Sequence, residues 1–123
     1  MLRIILMIAI VCAQSSAAHA DALTFNCVFN KQWSPEGTGP TDFRFVISYD
    51  TLTNKAFMTG NAGVQELFAY RNSQAISFIE PLATGAAHVT TVALDGSAIH
   101  SRNSLIGGQF APSQYSGQCT IAN

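Results

Sequence analysis

The chain has 123 residues, of which 11% are charged, and its net charge is −1. Six basic residues against seven acidic ones leave no basic stripe for nucleic acid and no polybasic face for a membrane surface. The length suffices for one domain around one core.

The N-terminus has three parts. Arg3 supplies a positive start, Ile4 to Val11 form an apolar run, and Ala18-His19-Ala20 is a small-residue site followed by Asp21. Charge to orient, apolar residues to insert and small residues to fit a peptidase are what a secretory signal requires. The expectation is a signal peptide over 1–20, cleaved after Ala20. The apolar run is shorter than a membrane span. Val11 precedes Cys12 where a lipoprotein site takes a small residue. Residues 21–123 are then one domain, periplasmic or secreted. Its five basic residues are Lys31, Arg44, Lys55, Arg71 and Arg102.

Cys27 and Cys119 stand near the two ends of that domain. In an oxidising compartment such a pair reads as a disulfide. Two cysteines without a matching histidine pair make a poor zinc site. The acidic residues show no calcium-loop spacing. Neither a metal nor a cofactor is expected.

Alternation at period two dominates the remainder. Leu23, Phe25, Cys27 and Phe29 share one face of a first strand. Lys31 to Pro40 is a Gly- and Pro-rich loop that holds Trp33, either as a binding anchor or as a plug for a barrel end. Phe43, Phe45, Ile47 and Tyr49 alternate with Asp42, Arg44, Val46 and Ser48 along a second strand. Ala56 to Thr59 is a short strand. Val64 to Tyr70 is a strand or a helical turn, with Val64, Glu66, Phe68 and Tyr70 on one side. Ile76, Phe78 and Glu80 share a face. His88 to Leu94 and Ser97 to Ile106 flank Asp95-Gly96, a dipeptide suited to a two-residue type I′ turn. The last strand places Tyr115, Gly117, Cys119 and Ile121 together. The fold class is all-β: a small antiparallel meander of about eight short strands, as a closed or nearly closed barrel or as a rolled sandwich.

A two-residue turn sets Leu94 opposite Ser97, Val92 opposite Ile99, Thr90 opposite Ser101 and His88 opposite Asn103. Those residues are expected to face inward, because that face holds the larger aliphatic side chains. His100 and Arg102 are then expected outside, beside Thr91, where they meet solvent or an acidic partner. His88 and His100 share no metal site in that register unless a bulge shifts one arm. Glu80, His88 and Ser101 converge at one mouth of the barrel. Carboxylate, imidazole and hydroxyl are the groups that orient a base and activate a nucleophile. The same cluster also suits a hydrogen-bonded closure of the core or a ligand site. Ser101 lies in no G-x-S-x-G turn.

The expected function is that of a non-enzymatic binding module for a protein partner or a small polar ligand, with Trp33, His88, Asn103, His100 and Arg102 as candidate contacts. A small hydrolase using Glu80, His88 and Ser101 is an alternative. In size and shape the domain also resembles the bacterial periplasmic lysozyme inhibitors, which are small, exported, eight-stranded and disulfide-tied. Of their S-G-x-x-Y motif, Ser116-Gly117-Gln118-Cys119 offers the first two residues and no tyrosine in place. The resemblance implies an enzyme inhibitor and carries over no functional residues.

Overall fold

The computed structural model describes residues 22–123, so the expected signal peptide lies outside the described residues. Eight strands follow one another: β1 (Ala22–Ser34), β2 (Gly37–Asp50), β3 (Lys55–Gly60), β4 (Gly63–Arg71), β5 (Ala75–Pro81), β6 (Ala87–Ala93), β7 (Ser97–Ile106) and β8 (Gln109–Ala122). Each pairs antiparallel with its neighbours, and β8 returns to β1, closing an up-and-down barrel. Closure rather than a sandwich leaves no free first or last strand.

The alternating aromatic residues make the core. Phe25, Phe29, Phe45, Ile47, Tyr49, Phe78, Val92 and Tyr115 are buried inside the barrel. Each large side chain removed from water contributes roughly 2–3 kcal/mol before entropy is counted. Phe78 meets the rings of Phe25 and Tyr49 edge-on at 5.1 and 5.7 Å. Val64 to Tyr70 is strand and not helix. Leu67 points in, while Val64, Phe68 and Tyr70 are exposed outside.

Cys27 and Cys119 face one another across β1 and β8 and form the disulfide. Gly117, two residues earlier, sits where a Cβ would collide with the Val28 carbonyl oxygen. Only a glycine allows β1 and β8 to approach this closely beside the bulge between Phe29 and Lys31.

Two expectations are corrected. The segment from Lys31 to Pro40 is not a loop, because β1 and β2 run on as a long hairpin to a turn between Ser34 and Gly37. Pro40 is tolerated because its strand has a free side. β3 pairs with β2 only from Val46 to Tyr49, so the ladder to β3 makes no demand on a Pro40 N–H. The second correction concerns the β6–β7 turn. It has three residues, Leu94-Asp95-Gly96, and not two. The Gly96 N–H donates to the Ala93 carbonyl at 3.0 Å, and Gly96 has φ +88°. A type I turn closed by a left-handed glycine produces this geometry. The added residue moves β7 by one position: His88 pairs with Arg102, Val89 with Ser101 and Thr90 with His100. A one-residue slip exchanges the faces of a strand. Ala98, His100, Arg102 and Ser104 therefore take the inner phase, and Ile99, Ser101 and Asn103 the outer one.

Candidate functional site

Four hairpin turns define one end of the barrel, and they differ in reach. The β1–β2 and β7–β8 hairpins are long. The β3–β4 hairpin is short and ends at Gly60, just past the point where β2 loses its ladder partner. The wall is low on that side, and a cleft of about 340 Å³ opens over it. Phe43, Phe45 and Met58 form its apolar wall, residues 60–63 its sill, and Glu80, His88, His100 and Arg102 its polar side.

The polar side is built by cross-strand pairing. Glu80 of β5 pairs with His88 of β6, and His88 pairs with Arg102 of β7. One layer deeper, Phe78 pairs with Thr90, Thr90 with His100, and His100 with Tyr115. The upper layer is charged and the lower one aromatic.

His100 is the hub of the lower layer and is only 1% exposed. The rings of Phe29, Phe43, Phe45 and Tyr115 surround it with centroids 5.2–5.9 Å away. Arg102 Nε donates to His100 Nε2 at 3.3 Å, so Nε2 is the bare nitrogen. His100 Nδ1 then carries the proton and donates to Thr90 Oγ1 at 2.7 Å. Burial, reinforced by the charge of Arg102 and by His88, lowers the pKa of His100 to about 3. This histidine is neutral at any ordinary pH.

His88 lies above it, with ring centroids 5.7 Å apart. His88 Nε2 meets Ser104 Oγ at 3.1 Å, and Nδ1 stands 3.6 Å from Glu80 Oε2. Burial lowers the pKa of His88 and Arg102 lowers it further, while Glu80 pulls it back up. Arg102 lies over the rings of Phe43 and Tyr115, with Cζ 4.6 and 5.1 Å from their centroids. Its Nε is committed to His100. Among the described residues its two terminal nitrogens have no acceptor, and no buried side-chain nitrogen or oxygen lacks a partner. Those nitrogens are therefore open to the cleft. Arg44 at the rim is already paired with Asp42 at 2.8 Å.

The expected convergence of Glu80, His88 and Ser101 does not occur. Glu80 and His88 meet inside, but Ser101 is on the outer wall, where Gln114 Nε2 donates to its hydroxyl at 3.1 Å. Asn103 is exposed on the same outer face. His100 and Arg102, expected outside, are in the mouth. The physical reason for all four is the three-residue turn. The same slip brings His88 and His100 together, but with Arg102 paired to His88 across the ladder and donating to His100. No group of three or more His, Cys, Asp or Glu among the described residues is placed to hold a metal ion.

Trp33 does not plug the barrel. It is 47% exposed on the outer wall, beside Ile99, in a shallow groove of about 300 Å³ with Lys31, Thr38, Gln114 and Ser116. Sequence reasoning missed the contributions of Phe43, Met58 and the Gly60–Gly63 tip, because the cleft exists only where a short hairpin stands beside a long one. The chain matches no family model, no curated protein and no solved structure.

Proposed function

We propose that this protein is a non-enzymatic binding module, exported to the periplasm or secreted, and that the barrel mouth receives a small polar ligand. The observation that supports this reading is the contrast within one barrel. Most of the interior is filled by interlocking aromatic rings, while one end holds a cleft with convergent polar groups. A partly apolar recess with a few fixed polar groups is the usual form of a small-molecule site, and this one is at the small end of the range. The disulfide is compatible with an oxidising compartment.

The test is a fragment screen on the purified oxidised protein, read by backbone amide NMR shifts. Binders are expected to move the signals of Met58, Gly60, Gly63 and His88 together. A library that perturbs none of them would overturn the reading.

A protein partner is favoured by a different observation, the outer groove at Trp33 and Ile99. Half-exposed aromatic and aliphatic side chains beside Gln114 are a common contact surface. An inhibitor of another enzyme would bind by such a surface. Shifts confined to Trp33, Ile99 and Ser116 on adding a candidate partner would support this second reading.

A further inference from the structure

We propose that the mouth binds a small carboxylate with an apolar body, anchored on the free fork of Arg102, and that its binding draws a proton onto His88. This deepens the mouth reading and rests on it.

The anchor follows from how Arg102 is held. Its Nε is used up on His100 and its flat face rests on Phe43 and Tyr115, so the guanidinium has little freedom left. The two terminal nitrogens have no acceptor among the described residues, are not buried, and belong to a residue that lines the cleft. A planar fork of donors fixed in advance matches the two oxygens of a carboxylate and loses little entropy in binding it. A partly desolvated cation without a counter-ion gains more from an anion than one free in water. The apolar body follows from the rest of the lining, where Phe43, Phe45 and Met58 lie beside the polar groups.

The proton follows from the charges around His88. Glu80 on β5 faces it from one side, and Arg102 and the neutral His100 on β7 from the other. Arg44, across the cleft on β2, is held by Asp42. Met58 and Gln65, from β3 and β4, carry no charge. A carboxylate on Arg102 cancels the positive charge of that guanidinium, which opposes protonation of His88, and Glu80 is already in place to receive the imidazolium. Glu80 would otherwise repel an arriving anion. The proton on His88 neutralises it.

The experiment is isothermal titration of the oxidised protein with benzoate at pH 5.5 and 7.5. The neutral isostere benzamide and inorganic phosphate serve as comparisons. Benzoate is expected to bind severalfold more tightly at pH 5.5, and at least tenfold more tightly than benzamide. Proton uptake should appear as a dependence of the measured heat on the buffer's ionisation enthalpy. Arg102→Gln should weaken benzoate about tenfold or more, and His88→Gln should flatten the difference between the two pH values. Phosphate binding as tightly as benzoate would overturn the carboxylate assignment. Equal binding of benzoate and benzamide, with shifts still mapping to the mouth, would overturn the anion proposal and leave the mouth as a ligand site. A mouth that responds to no fragment at all would remove both. The comparison of benzoate with benzamide needs no variant, so it decides the matter even if Arg102→Gln fails to fold.

Discussion

At the scale of single residues, His100 ties stability to pH. An ordinary histidine titrates near 6.5, whereas this one is held neutral down to about 3 by its aromatic surroundings. The unfolded chain therefore takes up a proton below pH 6.5 that the folded chain refuses. Stability is greatest above that value and falls as the pH drops towards 3, at up to about 1.4 kcal/mol per pH unit. His88, whose pKa is also lowered, adds to the fall in the same direction. Urea unfolding between pH 6.5 and 4.5, above most of the carboxylate range, should show this slope. His100→Gln should lessen it while costing about 1–3 kcal/mol at pH 7, because the Thr90 hydroxyl loses its buried partner. A slope unchanged in the variant would mean that other groups carry the dependence.

At the scale of elements, the β6–β7 hairpin decides the site. The turn dipeptide Asp95-Gly96 suits a two-residue loop, yet it also ends a three-residue one, where the glycine alone must be left-handed. Hydrophobicity favours the wrong choice, since it would place Ile99 inside and His100 outside. The barrel decides otherwise because Phe29, Phe43, Phe45 and Tyr115 already occupy the space opposite β7. Small Ala98 and flat His100 fit there. Strand existence and the inner faces of β1, β2 and β8 were legible, because alternation is local. The mouth was not, because it depends on a register set by packing across the barrel. Deleting Leu94 should leave a two-residue Asp95-Gly96 loop that keeps Ala93 opposite Ser97. The variant should fold with His88 still paired to Arg102, visible as a cross-strand proton contact by NMR. It should lose about 1 kcal/mol for the Gly96 carbonyl, which now accepts from the Cys119 N–H at 2.8 Å. A slip of the arm in that variant would show that the turn, and not the core, holds the register.

At the scale of the whole molecule, closure is reinforced covalently. The Cys27–Cys119 bridge joins positions 92 residues apart in sequence. Constraining so long a loop in the unfolded chain contributes about 4–5 kcal/mol on the chain-entropy account. Cys27→Ala with Cys119→Ala should lower the thermal midpoint by more than about 10 °C while leaving the strand signature of the circular dichroism spectrum intact. A midpoint within a few degrees of the wild type would show that the β1–β8 ladder alone suffices.

The pairing of β1 with both β2 and β8 also governs the order of assembly. One partner of the first strand is adjacent in sequence, and the other is the last of the eight strands to be synthesised. Seven of the eight interstrand ladders join sequence neighbours, and these can form while the chain is still growing. The eighth ladder must wait for β8 and then join it to a first strand seven elements earlier, which is a slow search. Until it closes, β1 presents an unpaired edge to every other unfinished copy nearby. The barrel is least protected in the interval between the appearance of β8 and its meeting with β1.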